Sequence, residues 1–198
     1  MKTSMPILLF LPKILAALSL SLILVSAGDA AAETGFQFAA PNLNAPDDPD
    51  VNGMRISFLY GRNESMRGLD FGLLSVSETT KMSGIAFVLG MSRVHGGMSS
   101  GAAFSIVNYH TGRDTGVNAA FVNLLEDADG TVNTGFITIA RGATLVDLGG
   151  INMSARSTAQ IGFVNITKEI KSFQIGFLNM AENGFLPVFP IFNFPKSR

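Results

Sequence analysis

Gln160–Asn179 reads QIGFVNITKEIKSFQIGFLN. Gln-Ile-Gly-Phe stands at 160–163 and again at 174–177, 14 residues on. Each copy continues through an aliphatic residue to asparagine, Val164-Asn165 and Leu178-Asn179. Walking backwards, a small residue, then Phe or a large aliphatic, then another apolar residue keeps returning. The anchors of this phrase are Phe58, Leu73, Phe87, Phe104, Phe121, Phe136, Ile151, Phe163 and Phe177, spaced 12 to 17 residues apart, and Phe192 continues the series. Self-similarity at a short period along a whole chain marks a repeat architecture, here about ten units of about 15 residues.

The columns of this repeat are selective. Before each anchor stands Ser57, Gly72, Ala86, Ala103, Ala120, Gly135, Gly150, Gly162 or Gly176, and nothing larger is used. Asparagine follows two after the anchor at Asn123, Asn165 and Asn179. The best-kept positions, read as structural repeat residues, are Gly135, Phe136, Gly150, Gly162, Phe163, Asn165, Gly176, Phe177 and Asn179. Charges fall between the cores, as at Arg93, Arg113 and 126–129, with ITKEIKS (166–172) as the turn between the two clearest copies. Each core is short, β-branched or aromatic, and bounded by Gly, Asn, Ser, Thr and charge, which reads as a strand. The fold class is therefore all-β.

Two architectures use such units. In a parallel β-solenoid each unit is one coil, and translationally equivalent coils can carry the same phrase in the same phase. In a ten-stranded antiparallel meander barrel each unit is one strand, the natural repeat is the hairpin, and long loops alternate with short turns. The spacings show no such alternation, which favours the solenoid. A column of small residues also suits a narrow coil interior, and an asparagine column predicts an amide ladder at a turn. The barrel stays as the alternative, supported by alternation in the last full unit and by the closing Phe192-Asn193-Phe194. Both strand faces carry apolar residues, Phe163 opposite Val164 and Phe177 opposite Leu178. That surplus implies that one face meets a partner, a second copy, a covering segment or lipid.

The ends set the organisation. Residues 1–32 join Lys2 and Lys13 to an apolar run, Ile14–Val25, and a small-residue stretch ending at Ala32, the pattern of a signal peptide. The run is about 12 residues, short of the roughly 20 a membrane-spanning helix needs. Residues 33–52, with Pro41, Pro46 and Pro49, read as a linker or N-terminal arm, 53–184 as the β-repeat domain, and 185–198 as a C-terminal cap or last strand. The chain has no cysteine, so neither a disulfide nor a lipidated cysteine supports it, and an exported protein of this kind must rely on its own core or on repeat stacking. Losing Lys2, Lys13 and Asp29 with the leader moves the net charge from −1 to −2, without the basic field a nucleic-acid partner needs.

Chemistry is sparse. His95 and His110 would approach each other if units stack one coil apart, enough for a two-histidine metal or acid–base site; as surface turn residues they carry none. Asp47, Asp48 and Asp50, and the run Glu126-Asp127-Ala128-Asp129-Gly130, resemble the start of calcium loops but lack the further ligands such loops require. No nucleophile elbow, phosphate loop, dinucleotide fingerprint or zinc spacing occurs. The expectation is a non-enzymatic protein without cofactor, catalytic residue or metal site.

The units at 160–165 and 174–179, with the closing Asn183-Gly184-Phe185-Leu186-Pro187 and Pro190-Ile191-Phe192-Asn193-Phe194, resemble the exported bacterial surface-repeat proteins built from tandem Q-[IV]-G-[LF]-x-N units. The close match covers about residues 158–194. The resemblance implies secretion to the bacterial cell envelope (outer membrane, periplasm or surface) and no defined activity. The expected role is an interaction or structural surface for adhesion, assembly or support, through a protein partner or self-association at the apolar strand face, with outer-membrane association possible and no nucleic acid. The alternative is a small integral outer-membrane barrel with a structural or pore role.

Overall fold

The computed structural model describes residues 33–196; the expected leader at 1–32 lies outside them. Every element of the described chain is a strand: β1 (Thr34–Ala40), β2 (Leu43–Ala45), β3 (Asp50–Asp114), β4 (Val117–Ala181) and β5 (Val188–Asn193). β3 and β4 are each 65 residues of almost unbroken extended chain. Such lengths belong to a chain that winds back on itself. Ala102↔Val117, Phe104↔Ala119 and Asn108↔Asn123 lie side by side in parallel, 15 residues apart, and the offset tightens to 14 at Arg113↔Asp127. One repeat is thus one coil of a parallel β-solenoid. The meander barrel would pair consecutive units antiparallel, and the register replaces that alternative.

Short antiparallel strands lie at both ends of the strand order β2-β1-β3-β4-β5. β1 pairs in parallel with the start of β3, Phe38 beside Ile56, and its other edge is met antiparallel by β2. Residues 33–52 therefore hold the first rung of the stack instead of a free linker, with Gln37 and Ala39 fully buried. At the other end β5 runs antiparallel to β4, with Ile175↔Phe192 and Gln174↔Asn193. The apparent tenth unit at Phe192 reverses direction instead of adding a parallel coil. Pro46 follows β2 and Pro190 sits within β5; proline on an outer strand discourages further pairing.

The register also corrects three anchors. Phe71, not Leu73, stacks on Phe87, with ring centroids 5.7 Å apart. Phe104 stands beside Ala119, two residues short of Phe121. Gly149, not Gly150, stands behind Gly135, since a Cβ added to Gly149 would lie 1.7 Å from the Gly135 carbonyl oxygen. Coil length varies with the residues spent at corners, so a spacing of 14 or 17 reads equally well one or two residues out of phase.

The interior is unusual. Its main apolar cluster belongs to the N-terminal coils, Val51, Met66, Met82, Ala86, Val88, Val94 and Ala103, with a smaller one at Leu125, Ala128 and Ala140. In the most regular coils the inward residues are polar: Gln160, Asn165, Gln174 and Asn179 are fully buried, while Phe163 and Phe177 are 72% and 83% exposed. ITKEIKS is more than a turn, because Thr167 and Ile170 point inward from it.

A second glycine column, invisible as part of the repeat phrase, runs through Gly53, Gly68, Gly84, Gly101 and Gly116. At Gly84 φ is +144°, and a Cβ would lie 2.1 Å from the Gly68 carbonyl oxygen. Both the backbone conformation and the approach of the coil beneath require glycine there. Gly84→Ala is expected to lower stability by at least about 1–3 kcal/mol, the cost of one strained residue. Gly35→Ala, where a Cβ meets nothing within 4 Å, should stay within about 0.5 kcal/mol of the parent. Equilibrium denaturation of the two variants checks this, and equal losses would contradict the stacked-glycine account.

Candidate functional site

The side chains of one coil divide into an inner and an outer set, and the inner set holds the outer in place. In the phrase Gln-Ile-Gly-Phe-x-Asn, Gln, Gly and Asn belong to the inner set and Ile and Phe to the outer, as strand alternation requires. The inner asparagines form a ladder. Asn108 Nδ2 donates to Asn123 Oδ1 at 3.0 Å, Asn152 to Asn165 at 2.9 Å, and Asn165 to Asn179 at 2.8 Å. Each amide also donates to a neighbouring main-chain carbonyl, such as Asn165 to Ile175 O at 2.9 Å. The ladder ends on β5, where Asn179 donates to Phe189 O.

The glutamine column forms a second ladder with a change of direction. Asn118 donates to Asn133, and Asn133 to Asp147 at 2.8 Å. From the other end Asn193 donates to Gln174, Gln174 to Gln160 at 2.8 Å, and Gln160 to Asp147 at 3.2 Å. The two runs converge on the Asp147 carboxylate, which accepts and cannot donate. Thr144 and Ser157 hydroxyls also donate to it, at 2.7 and 3.3 Å. This fully buried carboxylate is held by four donors and no cation.

Close packing on these ladders explains the small-residue column. A Cβ at Gly176 would lie 2.0 Å from Gly162 O and 2.6 Å from Asn165 Nδ2, and one at Gly162 would meet Gly149 O and Asn152 Nδ2, each at 2.6 Å. At Gly135 it would meet Ala120 O at 2.1 Å. Gly150 belongs to the outer set, with its backbone against Phe136.

Outside, the repeat presents a flat apolar face. Two columns flank the small-residue position. One carries Phe71, Phe87 and Phe104, stacked at 5.7 and 5.0 Å, and continues upward from Ala119 to Ile161 and Ile175. The other carries Phe121 and Phe136, stacked at 5.3 Å, then Phe163 and Phe177. From the Phe71 coil to the Phe177 coil neither column holds a charged residue. The charged side chains gather on a different stretch of the coil and pair between neighbouring coils: Arg93 with Glu78 at 3.1 Å, Arg141 with Glu126 at 2.6 Å, and Arg113 with Asp129. The Asp129 hydrogen bond raises the Arg113 pKa above the ordinary arginine value.

The chemical candidates are not brought together. His110 is fully buried against Asp114, whereas His95 is exposed beside Thr111, 3.5 Å from its hydroxyl. Adjacent coils thus place the two histidines on opposite sides of the wall. Glu126 and Asp129 of the acidic run bind arginines, and Asp48 accepts the Asp50 N–H. Among the described residues no group of three or more His, Asp or Glu side chains converges to hold a metal. Sequence reasoning placed charges only between cores and missed a buried pair. Arg55 clasps Asp70 through Nε and Nη2 at 3.0 and 2.7 Å, with Ser77 bonded to both. The spacing of 15 between opposite charges was the available signal.

No family model, curated protein or solved structure matches the chain. What the geometry offers is a built surface, supported from behind by amide ladders.

One rung of the first ladder is imperfect. Thr138 takes an asparagine's place; it accepts from Asn123 at 3.4 Å, while the next asparagine, Asn152, keeps a buried Oδ1 without a donor. Thr138→Asn supplies that donor and should raise stability by about 1 kcal/mol. Asn165→Ala strands the Asn152 and Asn179 amides and should cost about 2–5 kcal/mol. Denaturant midpoints of both variants test the ladder, which fails if Thr138→Asn destabilises or Asn165→Ala is neutral.

Proposed function

We propose that the chain is an exported cell-envelope β-repeat protein, without enzymatic activity, whose outer phenylalanine face is an interaction surface serving adhesion, assembly or support. The observation that carries this reading is the face itself. Its two columns run uncharged along successive coils, and their side chains stand outside a core that is satisfied without them. Contiguous apolar patches well beyond a few hundred Å² are rare on monomeric proteins and mark surfaces that something covers. The signal-peptide pattern of 1–32 and the resemblance to surface-repeat proteins support the envelope as the location. An enzyme reading gains nothing from the separated histidines.

Two measurements test this. The mature protein recovered from producing cells should begin near Glu33; recovery only with residues 1–32 attached would contradict export. In fractionation, the parent should stay with the envelope, and Phe163→Ser/Phe177→Ser should move several-fold more protein into the soluble fraction. Both side chains are largely exposed, so the melting temperature should hold. Equal distribution of parent and variant would remove the face from function.

A further inference from the structure

The occupant of this face can be read from where its bulk lies; the step rests on the face being an interaction surface. Through the coil of Phe104 the rings occupy the first column, and the second carries Leu73, Leu89 and Ile106. From the next coil onward the rings occupy the second column, at Phe121, Phe136, Phe163 and Phe177, and the first carries smaller side chains, among them Ala119, Thr134 and Leu148. The bulk therefore changes column at the middle of the face, where the coil of Phe104 meets that of Ala119.

This arrangement is complementary to itself. Turn a second copy over so that the solenoids run antiparallel. Each column then meets its own kind reversed, with Phe71–Phe104 against Ala119–Ile161 and Phe121–Phe177 against Leu73–Ile106. Turn it so that they run parallel, and each ring meets the smaller residue of the facing column in the same coil. Both two-fold operations set large against small throughout, and such a contact is isologous and closes at two copies. Coil spacing is common to both faces, so the match persists along the whole length.

Size and charge agree. Taking 150–250 Å² for a large apolar side chain and the observed exposures, from 37% at Phe71 to 83% at Phe177, the face offers roughly 1,300 Å². A stable interface needs roughly 800 Å² per partner. The columns carry no charge, and the arginines at 93, 113 and 141 are committed to carboxylates of neighbouring coils, which leaves the face without the free basic rim that draws a protein onto anionic lipid.

We propose that the phenylalanine face packs against the same face of a second copy, forming a two-fold dimer of solenoids. The chain has no cysteine, so Thr134→Cys places a single thiol near the middle of the face and Lys168→Cys places one in the charged row. A short bismaleimide applied to each purified variant should give a band of twice the chain mass from Thr134→Cys and none from Lys168→Cys. Sedimentation equilibrium should show a dimer for the parent and a monomer for Phe163→Asp/Phe177→Asp, with the melting transition still cooperative. A parent that sediments as a folded monomer overturns the proposal. So does a Thr134→Cys adduct with a different protein, or monomeric binding of the parent to phosphatidylethanolamine–phosphatidylglycerol vesicles. If envelope retention still depends on Phe163 and Phe177 in those cases, the interaction surface stands and only its occupant is wrong. If retention is indifferent to them, the surface reading itself has failed.

Discussion

Successive coils hydrogen-bond in parallel with equivalent residues side by side, about 4.8 Å apart. A position can hold only a side chain that tolerates its neighbour in the next coil at that distance. Amides tolerate it best, since each has a donor for the rung above and an acceptor for the rung below. Aromatic rings tolerate it as offset stacks with centroids near 5 Å, as in Phe87 on Phe104. Charges of one sign do not, and the structure alternates them: Arg113 with Asp129, Arg141 with Glu126. Where one coil's backbone approaches the next too closely for a Cβ, glycine alone remains.

The same constraint accounts for an interior more polar than a domain of this size ordinarily carries. Burying an amide is expensive only when its hydrogen bonds are lost, and in a ladder each rung satisfies the next. Lone-pair and proton counting also dictates direction. A run of amides can point either way, but two runs that meet head-on need a residue that only accepts. Asp147 is that residue, and the glutamine ladder closes on it from both sides. The N-terminal coils solve the same problem differently, with methionine, valine and alanine around Met66 and Met82 and the clasped Arg55–Asp70 pair near the end of the stack.

The period was plainly legible. Repeated phrases with equal spacing gave the strand content, the coil, and the preference for parallel stacking over a meander. Sidedness was harder to read, because strand alternation separates two faces without saying which is inside. In a globular domain Phe163 would be the inward residue and Gln160 the outward one. Here the interior is too narrow for stacked rings and can be satisfied by stacked amides, so the assignment inverts. Register failed where phrases were ambiguous by a residue, as at Gly149-Gly150, and where corner residues lengthened a coil, as between Phe104 and Phe121. The column from Gly53 to Gly116 was missed because it lies outside the phrase, although its members are spaced 15 to 17 residues apart. The two histidines looked adjacent because they are one coil apart, but an odd offset from the local register places them on opposite sides of the wall.

The polar interior changes what the outer phenylalanines mean. In a domain with an apolar core, exposed apolar residues can be the overflow of a sequence selected for burial. In the coils from Phe136 to Phe177, hydrogen-bonded ladders and glycine approach hold the wall together, and folding makes little use of rings exposed by half or more. Keeping such a face uncovered also carries an aggregation cost, since stacked apolar ladders on a flat sheet are templates for one another. The short reversed strands β2 and β5, with their prolines, guard the ends of the stack against that outcome, and the ladders extend their bonds to β5 through Asn179 and Asn193. The ends are protected and the face is not. Growth along the axis is therefore blocked while contact across the face is left open, which is the arrangement expected of a protein that closes with a partner of limited size instead of extending into a fibre.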